Sequence, residues 1–353
     1  MKICYLNNDL NNKTGSGRFC LALVQSLNKL IPAFNYKVVT LESISLKKPF
    51  GLFYFLIRLR KILKDFDIVH ALDGWPHGFL ATLATIGLKK KVIITLIGTG
   101  SIQPMYHFPH KLIMKWVYKR ADRLVAVSQN TKKEILKIIP SLKIEVINHG
   151  VDFDKYQTLN IKNKNDAEIQ RLKPYILSVG TLKKRKGYEY SVRAFAEVAE
   201  KFPELKYVIV GQGHEEENLK SQISKLKIED KIIFLNYLSE EFLVALYHNA
   251  ELFILLSQDN GKDIEGFGLV FLEAASCGLP IVATLETGAA DAVSDGKNGI
   301  LVPTRDSHKA TQAIIKILLN SNLKNSFSES SLEFAKSMNW EKVADSYFKI
   351  YKF

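Results

Sequence analysis

Short apolar runs alternate along the chain with longer segments in which apolar side chains recur at three- and four-residue spacing. Residues 2–6, 37–41 and 92–96 are examples of the runs, and residues 18–30 show the longer spacing. Continuous apolar runs are typical of strands buried on both faces of a parallel sheet, and amphipathic segments are typical of the helices that cover it. The pattern therefore predicts an α/β protein.

The alternation of strands and helices occurs twice, because a new strand begins near residue 174 and is again followed by a polar loop and a helix. A chain of 353 residues is also long for a single core. We therefore expect two Rossmann-like doubly wound domains that face a cleft. The first occupies residues 1–160 and the second residues 170–337. The Lys- and Asn-rich segment 157–171 has the composition of a linker.

The composition is that of an ordinary globular protein, with 47% hydrophobic and 24% charged residues. The three cysteines stand in apolar surroundings without metal-ligand spacing, which favours reduced core residues in a cytoplasmic protein. The first residues predict a strand rather than a signal peptide. The longest apolar run, residues 50–57, is too short to span a bilayer. Two Asp-Phe-Asp strings, at 65–67 and 152–154, are interpreted as solvated turns rather than metal ligands.

Positive charge is concentrated in the first half of the chain. Residues 1–160 contain 24 Lys and Arg against 10 Asp and Glu, whereas the remainder contains 25 against 26. A basic half of this kind can bind nucleic acid or an anionic membrane surface. Because no aromatic stacking platform or recognition helix stands out, we expect no nucleic-acid partner.

A predicted helix at residues 49–64 has an unusual outer face. Its apolar side has regular helical spacing, but Phe53, Tyr54 and Ile57 lie outside that side among Arg and Lys residues. One interpretation is a helix that lies on an anionic membrane surface. The other is a helix buried on two sides with a solvated basic edge, and the sequence leaves both open.

One stretch near residue 270 combines glycines, an apolar helix and two carboxylates. Glu265 precedes Gly266 and Gly268, and the apolar segment that follows contains Glu273. Residues 277–280 then supply a glycine C-cap and a proline stop. A helix that begins near Gly268 would direct its free N–H groups and the positive end of its dipole towards a phosphate or diphosphate.

With these residues, the stretch resembles the signature of the retaining, nucleotide-sugar-dependent glycosyltransferases of family 4, which have the glycosyltransferase B fold. The resemblance covers nearly the whole chain, and the segment at about 338–353 resembles the family's terminal helix, which crosses back to the first domain. It implies that Glu265 holds sugar hydroxyl groups and that Glu273 holds the ribose. It also implies donor contacts from the loop and the helix start, which are Gly266, Phe267, Gly268, Leu269 and Val270.

A basic loop follows the first strand of the second domain. Residues 181–187 include Arg185 and Lys186, and such side chains can hold a diphosphate as negative charge grows on the leaving group. Many members of the resembled family have Arg where this chain has Thr181, so Arg185 and Lys186 would carry that charge here. We name Glu265, Arg185 and Lys186 as candidate catalytic residues.

Two further segments match the resembled family in order. Gly15 and Gly17 match its loop beside the donor phosphates, although a Gly-x-Gly string also makes an ordinary tight turn. Tyr237 and Leu238 match the segment whose backbone contacts the base. We include all four among the candidate donor-binding residues.

One position departs from the family pattern. Ile97 stands where many members have a histidine that contacts the donor sugar. His107 and His110 follow in the sequence and could supply a polar group, but a surface role is the simpler interpretation.

The resemblance implies a retaining glycosyltransferase that moves a hexose-type sugar from a UDP- or GDP-sugar to a glycan or lipid-linked acceptor. The donor would bind the second domain and the acceptor the first, with no cofactor and no divalent metal. The alternatives are a nucleotide-sugar epimerase of the same architecture and a non-catalytic basic binding protein. The basic first half would fit a peripheral position on the cytoplasmic membrane face.

Overall fold

The computed structural model describes residues 1–11, 14–41, 51–160, 167–236, 238–259 and 261–352. The strands in these ranges are β1 (Lys2–Asn7), β2 (Asn35–Thr40), β3 (Ile68–Ala71), β4 (Lys91–Leu96), β5 (Arg123–Ala126), β6 (Ile144–Val146), β7 (Tyr175–Val179), β8 (Lys206–Val210), β9 (Ile232–Leu235), β10 (Phe253–Leu255), β11 (Ile281–Thr284) and β12 (Gly299–Val302). The helices are α1 (Gly15–Leu30), α2 (Gly51–Leu63), α3 (Phe79–Ala84), α4 (Thr99–Ile102), α5 (His110–Arg120), α6 (Gln129–Ile138), α7 (Phe153–Asn160), α8 (Ala167–Leu172), α9 (Tyr188–Lys201), α10 (Glu216–Leu226), α11 (Glu240–Asn249), α12 (Leu269–Ser276), α13 (Ser307–Leu319), α14 (Ser321–Ser337) and α15 (Trp340–Tyr351).

The strands form two six-stranded sheets, in the orders β2-β1-β3-β4-β5-β6 and β12-β11-β10-β7-β8-β9. Every pair of neighbouring strands is parallel. Parallel neighbours need a crossover, and here helices supply it. In each sheet, the order in which successive strands are added changes direction beside the first strand, at β1 and at β7. This change of order is the doubly wound arrangement. The predicted pair of doubly wound α/β domains is confirmed.

The chain divides into two compact units. The first contains Met1–Gly150, Gly261–Phe267 and Trp340–Phe353, and the second contains Val151–Asn260 and Gly268–Asn339. The short segment Gly261–Phe267 therefore belongs to the first unit, although the residues on both sides of it belong to the second. The sequence gives no sign of this exchange.

In the first unit, alternate residues along the strands belong to two hydrophobic clusters on opposite faces of the sheet. Ile3 and Tyr5 of β1 contribute to the cluster that also contains side chains of α1 and α15. Cys4 and Leu6 contribute to the other, which contains side chains of α2, α3, α5 and α6. Because side chains on both faces of these strands are buried, the strands appear in the sequence as continuous apolar runs.

The C-terminal helix α15 is attached to the first sheet by a buried polar network as well as by apolar packing. The Tyr351 hydroxyl lies 2.8 Å from His70 Nδ1 and 3.1 Å from the Tyr5 hydroxyl. On the other side of the ring, His70 Nε2 lies 2.8 Å from Thr95 Oγ1, which lies 3.1 Å from the Tyr347 hydroxyl. The expected return of the C-terminal helix to the first domain is confirmed.

In the second unit, the strands β7, β10 and β11 are buried at every position. Helix α12 follows β10, and all its residues except Leu269 are buried. The helix ends as its sequence indicates, because Gly278 has φ +72° and the N–H groups of Gly278 and Leu279 bond the carbonyls of Ala275 and Ala274. The predicted glycine C-cap is therefore present.

Two predicted boundaries were wrong. Helix α1 begins at Gly15 rather than Arg18, because the Thr14 side chain accepts a hydrogen bond from the Gly17 N–H and caps the helix. The segment 157–171 is not a linker throughout, since α7 continues to Asn160 and α8 begins at Ala167. Composition alone cannot distinguish an exposed polar helix from a linker.

The outer face of α2 is exposed rather than buried on a second side. Phe53 and Tyr54 are 66% and 71% exposed, and Ile57 is 54% exposed. The interpretation of this helix as buried on two sides is therefore wrong. Among the described residues, no helix is long and apolar enough to cross a membrane.

Candidate active site

Gly266 packs against the main chain that follows β4 in the first unit. A Cβ at this position would overlap the Ile97 carbonyl oxygen, and a Cβ at Gly98 would lie 3.3 Å from the Gly266 Cα. The two segments therefore touch through their backbones, and this close contact gives one reason for glycine at 266.

The side chains of Thr99 and Thr131 form hydrogen bonds with the loop that contains Gly266. Thr99 Oγ1 donates to Asp263 Oδ1 at 2.5 Å and accepts from the Ile264 N–H at 3.3 Å. Thr131 Oγ1 donates to the Gly266 carbonyl at 3.3 Å. Glu265 and Phe267 on either side of Gly266 are both buried. The loop is thus held in one conformation by the first unit, where Glu265 also lies.

A histidine that the sequence analysis did not select contacts this loop. The ring of His149 meets Phe267 edge-on at 5.3 Å between centroids, and it meets Phe19 of α1 at 4.7 Å. Burial, with a smaller contribution from the nearby Arg18, lowers the pKa of His149 to about 3. The ring is therefore neutral at physiological pH. It supports Phe267 by packing, on the side of the sheet where α1 lies.

The histidines considered as substitutes for the family residue lie elsewhere in the first unit. Ile97 packs against the hydrophobic cluster of α1 and α15. His107 is exposed, and His110 contacts the Trp75 ring edge-on at 4.8 Å. Nothing in these contacts directs either histidine towards Ile97.

The segment around Gly15 and Gly17 is organised by Asp9. Asp9 Oδ1 accepts hydrogen bonds from the Thr14 hydroxyl at 2.6 Å and from the Asn11 N–H at 2.8 Å. Burial raises the pKa of Asp9, but these bonds and those from Asn8 and Ser16 outweigh it and hold the pKa below its usual value. Asp9 therefore stays ionised and fixes the start of α1.

The two glycines of this segment have different surroundings. A Cβ at Gly17 would overlap the Asn11 carbonyl oxygen and lie 2.5 Å from Asp9 Oδ1. A Cβ at Gly15 would meet no described atom within 4 Å. Packing therefore explains Gly17, whereas none of the described residues packs against Gly15 in this way.

In the second unit, the loop after β7 places a buried lysine over Gly180. Lys186 is only 7% exposed. Gly180 has φ +151°, and a Cβ built there would lie 3.9 Å from Lys186 Nζ and 3.4 Å from the Tyr188 hydroxyl. The Tyr188 hydroxyl donates to the Gly180 carbonyl at 2.9 Å. The ammonium group is thus held beside bare backbone at the carboxyl end of a central strand.

The loops after β7 and β10 are joined at this edge of the second sheet. The Gln258 N–H donates to the Arg185 carbonyl at 2.6 Å. A Cβ at Gly187 would overlap the Leu256 carbonyl oxygen, so glycine is needed for the loops to approach. Arg185 is half-buried, and the Gln258 side chain is buried with its Oε1 unbonded.

Helix α12 is the next helix in the chain after β10. Gly268 has φ +85° and occupies the N-cap position, so the helix begins at Leu269 and Val270 with no side-chain cap on its first N–H groups. Glu273 is buried, and its Oε2 accepts a hydrogen bond of 3.0 Å from the Tyr247 hydroxyl. The predicted helix start and the position of Glu273 within the helix are confirmed.

The remaining candidates lie after β9. Leu238 is half-buried, and Tyr237 lies outside the described residues. Of the candidates, Arg185 and Lys186 lie in the loop after β7 in the second unit, and Gly266 lies beside Ile97 in the first. In the described ranges, no group of three His, Cys, Asp or Glu side chains is arranged to hold a metal ion.

The architecture is shared with solved structures of other proteins. The structure of HepE from Anabaena in complex with UDP-glucose superposes with a TM-score of 0.80 at 17% sequence identity, covering 100% of this chain and 99% of that one. That protein and the other structural neighbours are glycosyltransferases of the B fold, and this chain has the same fold.

Sequence comparison narrows the class to a family. Residues 160–334 match the family model described as glycosyl transferases group 1, and residues 19–155 match the model described as glycosyltransferase family 4. The chain belongs to the family 4 glycosyltransferases.

Two curated relatives show how widely acceptors vary in this group. A GDP-mannose-dependent α-(1-6)-phosphatidylinositol monomannoside mannosyltransferase of Mycolicibacterium smegmatis is 29% identical, over 74% of this chain and 70% of the relative. The N-acetyl-α-D-glucosaminyl L-malate synthase of Bacillus anthracis is 26% identical, over 92% of this chain and 85% of the relative.

Proposed function

We propose that this glycosyltransferase is a retaining enzyme that moves a hexose-type sugar from a nucleoside diphosphate donor to a glycan or lipid-linked acceptor. The observation that carries the proposal is the buried Lys186 beside Gly180, at the carboxyl edge of the second sheet. Ligands of open α/β sheets bind at this edge. Two cationic side chains, Arg185 and Lys186, in a loop at this edge favour an anionic ligand such as a diphosphate.

The proposed donor site uses groups of the second unit for the nucleotide. Lys186, Arg185 and the uncapped N–H groups at the start of α12 would bind the diphosphate and stabilise the charge that develops as it leaves. Glu273, oriented by Tyr247, would accept hydrogen bonds from the ribose hydroxyls. The positive charge needed by the leaving group then comes from the protein, so the proposal includes no metal and no cofactor.

The sugar would be held by the loop from Glu265 to Gly268. The fastening of this loop by Thr99 and Thr131 supports a fixed position for the Glu265 carboxylate, which would hold sugar hydroxyl groups. The bond between the anomeric carbon and the phosphate oxygen breaks, and its electron pair stays on the diphosphate. The acceptor oxygen then bonds to the same face of the sugar, and its proton passes to a phosphate oxygen. Glu265 favours the cationic sugar without bonding to it.

Product analysis tests this proposal. The protein is incubated with UDP-glucose, GDP-mannose or ADP-glucose, with and without a membrane-lipid extract, and proton NMR follows the anomeric signals. We expect release of the nucleoside diphosphate and a product with the α configuration of the donor. An inverted product would contradict the retaining mechanism. An isomerised sugar formed from the donor alone would identify an epimerase instead.

We further propose that the first unit lies on an anionic membrane at its cytoplasmic face. Helices α2 and α5 both pack against α3 on the same face of the sheet. Their exposed apolar residues are Phe53, Tyr54 and Ile57 on α2 and Leu112 and Trp116 on α5, with Phe108 just before α5. Exposed lysine and arginine residues alternate with them: Arg58, Lys61, Lys111, Lys119 and Arg120. This combination favours the headgroup region of an anionic bilayer.

Vesicle sedimentation tests the membrane proposal. The protein should bind vesicles of phosphatidylglycerol and phosphatidylcholine at low salt, and bind pure phosphatidylcholine much more weakly. Ile57→Ser combined with Leu112→Ser should weaken binding about tenfold, since apolar burial and charge both contribute. Leu319→Ser, at a similarly exposed leucine in the second unit, is the control and should have no effect. Equal binding of both vesicle types would contradict the proposal.

A further inference from the structure

Three loops of the first unit meet at one edge of its sheet. Strand β1 pairs with β3, and β3 pairs with β4, in each case in parallel. The loops that follow these strands therefore emerge side by side at the carboxyl edge, where α/β sheets bind ligands. They include Asn7 at the end of β1, the segment 72–78 after β3, and the segment 97–101 after β4.

Several buried polar atoms at this edge have no hydrogen-bond partner among the described residues. His77 is 4% exposed, and neither of its ring nitrogens makes a hydrogen bond of normal geometry. Burial lowers the pKa of His77 to about 4, although the Asn7 main-chain carbonyl lies close enough to oppose this shift. The Asn7 side chain is also buried, and its Oδ1 has no partner. Native proteins pair nearly all such groups with protein or water, so these atoms have hydrogen-bonding capacity that the described residues leave unused.

Asp73 adds a carboxylate to the same edge. Its Oδ1 accepts hydrogen bonds from the Gly74 N–H at 2.7 Å and from the Ser101 hydroxyl at 2.5 Å. Its Oδ2 has no hydrogen-bond partner among the described residues. A Cβ at Gly100 would overlap this oxygen, so the glycine keeps it uncovered. Burial raises the pKa of Asp73 to about 6, against the effect of the two hydrogen bonds.

The chemistry of these groups fits hydroxyls better than ions. Asp73 Oδ2 and Asn7 Oδ1 accept hydrogen bonds, whereas a neutral imidazole donates one and accepts one. A hydroxyl group can donate to an oxygen and accept from a ring N–H at the same time. A phosphate would meet a carboxylate here, which is unfavourable. The edge therefore favours an uncharged ligand with several hydroxyl groups.

We propose that Asn7, Asp73 and His77 form the acceptor subsite and bind a neutral polyol, a sugar or cyclitol ring, through its hydroxyl groups. The inference rests on the proposed function, because it assigns the acceptor of that same transfer. It also separates two roles of the first unit. The basic, apolar surface of α2 and α5 contacts the membrane, and the uncharged part of the acceptor enters at the sheet edge.

Saturation-transfer NMR on the full chain tests the subsite. The probes are myo-inositol, methyl α-D-mannopyranoside and methyl α-D-glucopyranoside, each with and without UDP or GDP. We expect at least one of them to bind. Asp73→Asn, which keeps the shape and the bonds to Gly74 and Ser101, and His77→Gln should each weaken its binding tenfold or more.

The matched control is Asp65→Asn, which removes an exposed carboxylate before the start of β3. It should leave polyol binding unchanged, and all three variants should bind UDP or GDP within twofold of the wild-type protein. Circular dichroism melting verifies that each variant is folded. The proposal is overturned if the nucleotide binds and no polyol does, so that only water fills the site. It is also overturned if Asp73→Asn and His77→Gln bind the polyol as the wild type does. Failure of every nucleotide to bind would instead count against the donor site.

Discussion

Gly15 and Gly17 belong to the same short sequence string, yet only one of them is required by packing. Gly17 lies against the Asn11 carbonyl and Asp9, whereas a Cβ at Gly15 would meet no described atom within 4 Å. A Gly-x-Gly string does not reveal this difference, because it depends on how the preceding loop folds back. The structure therefore provides a matched pair for separating stability from ligand binding.

We expect Gly17→Ala to destabilise the first unit by about 2 kcal/mol or more, since its methyl group would displace the Asn11 carbonyl. Gly15→Ala should keep or slightly raise stability, because alanine favours the first turn of a helix by up to about 1 kcal/mol. If the space before Gly15 admits the donor phosphates, Gly15→Ala should also reduce transfer about tenfold. Urea unfolding and initial transfer rates measure the two effects. A destabilised Gly15→Ala variant would contradict this view of the loop.

Some candidate site residues can be found from the sequence, and others cannot, for a physical reason. Gly268 and Glu273 could be found because a glycine before an apolar segment and a carboxylate within it form a local pattern. Asp73, His77 and His149 could not, because their significance lies in burial and in neighbours distant along the chain. The family resemblance implied that Gly266 contacts the sugar. The structure adds that the Gly266 backbone packs against the Ile97 carbonyl.

At the scale of single elements, the position of helix α15 depends on polar contacts as well as on its apolar face. Its Tyr347 and Tyr351 hydroxyls join a buried network that includes His70 of β3 and Thr95 of β4. Burial lowers the pKa of His70 to about 3, so the ring is neutral and one nitrogen must accept a hydrogen bond. The position of the helix is therefore fixed by polar as well as apolar contacts.

Removing one hydroxyl from this network should lower the stability of the first unit. Tyr351→Phe leaves His70 Nδ1 buried without its 2.8 Å partner, which costs about 1–3 kcal/mol. All three tryptophans, Trp75, Trp116 and Trp340, belong to the first unit, so their fluorescence during urea unfolding reports on it. Tyr54→Phe, at an exposed tyrosine, is the control and should change nothing. Equal unfolding midpoints for the two variants would show that the network adds no stability.

The strands and most helices were predictable because each carries a local periodicity that burial imposes. The start of α1 was not, because it depends on the Thr14 cap and the Asp9 loop. The helical ends of the segment 157–171 were also missed, since their polar composition resembles that of a linker. Element types thus follow from the sequence pattern, whereas element ends depend on capping and tertiary contacts.

For the molecule as a whole, the first unit contains three buried histidines with lowered pKa values. These are about 3 for His70 and His149 and about 4 for His77, against an ordinary value near 6.5. Between pH 6.5 and 4, the unfolded chain therefore binds protons that the folded unit does not, so stability falls as the pH falls. Asp73, with its pKa raised to about 6, acts in the opposite direction.

The net effect from pH 7 to pH 5.5 should be a loss of roughly 3 kcal/mol in the free energy of unfolding of the first unit. Tryptophan fluorescence in urea at the two pH values measures it. His149→Asn should reduce the pH dependence by about 40%, because each histidine contributes about 1.2 kcal/mol to the loss and Asp73 offsets about 0.8 kcal/mol of the total. An unfolding free energy that is the same at both pH values would contradict the burial of neutral histidines.

The sequence also predicted the two doubly wound units, because repeated strand–helix alternation is visible along the chain. The return of the C-terminal helix was implied by the family resemblance. It could not predict that 261–267 belongs to the first unit, since this depends on contacts with Ile97, Thr99 and Thr131. The proposed sugar-holding residue Glu265 and ribose-holding residue Glu273 are therefore supported by different units, although only eight positions separate them.

The most direct test of the account is nucleotide binding at Lys186. Thermal melting is measured with UDP, GDP and ADP and with the corresponding sugar nucleotides, for the wild type, Lys186→Met and the exposed control Lys184→Met. We predict that at least one nucleotide raises the melting temperature of the wild type and of Lys184→Met by several degrees, and that Lys186→Met abolishes the shift. No stabilisation of the wild type by any nucleotide, or an undiminished shift in Lys186→Met, would contradict the proposed donor site.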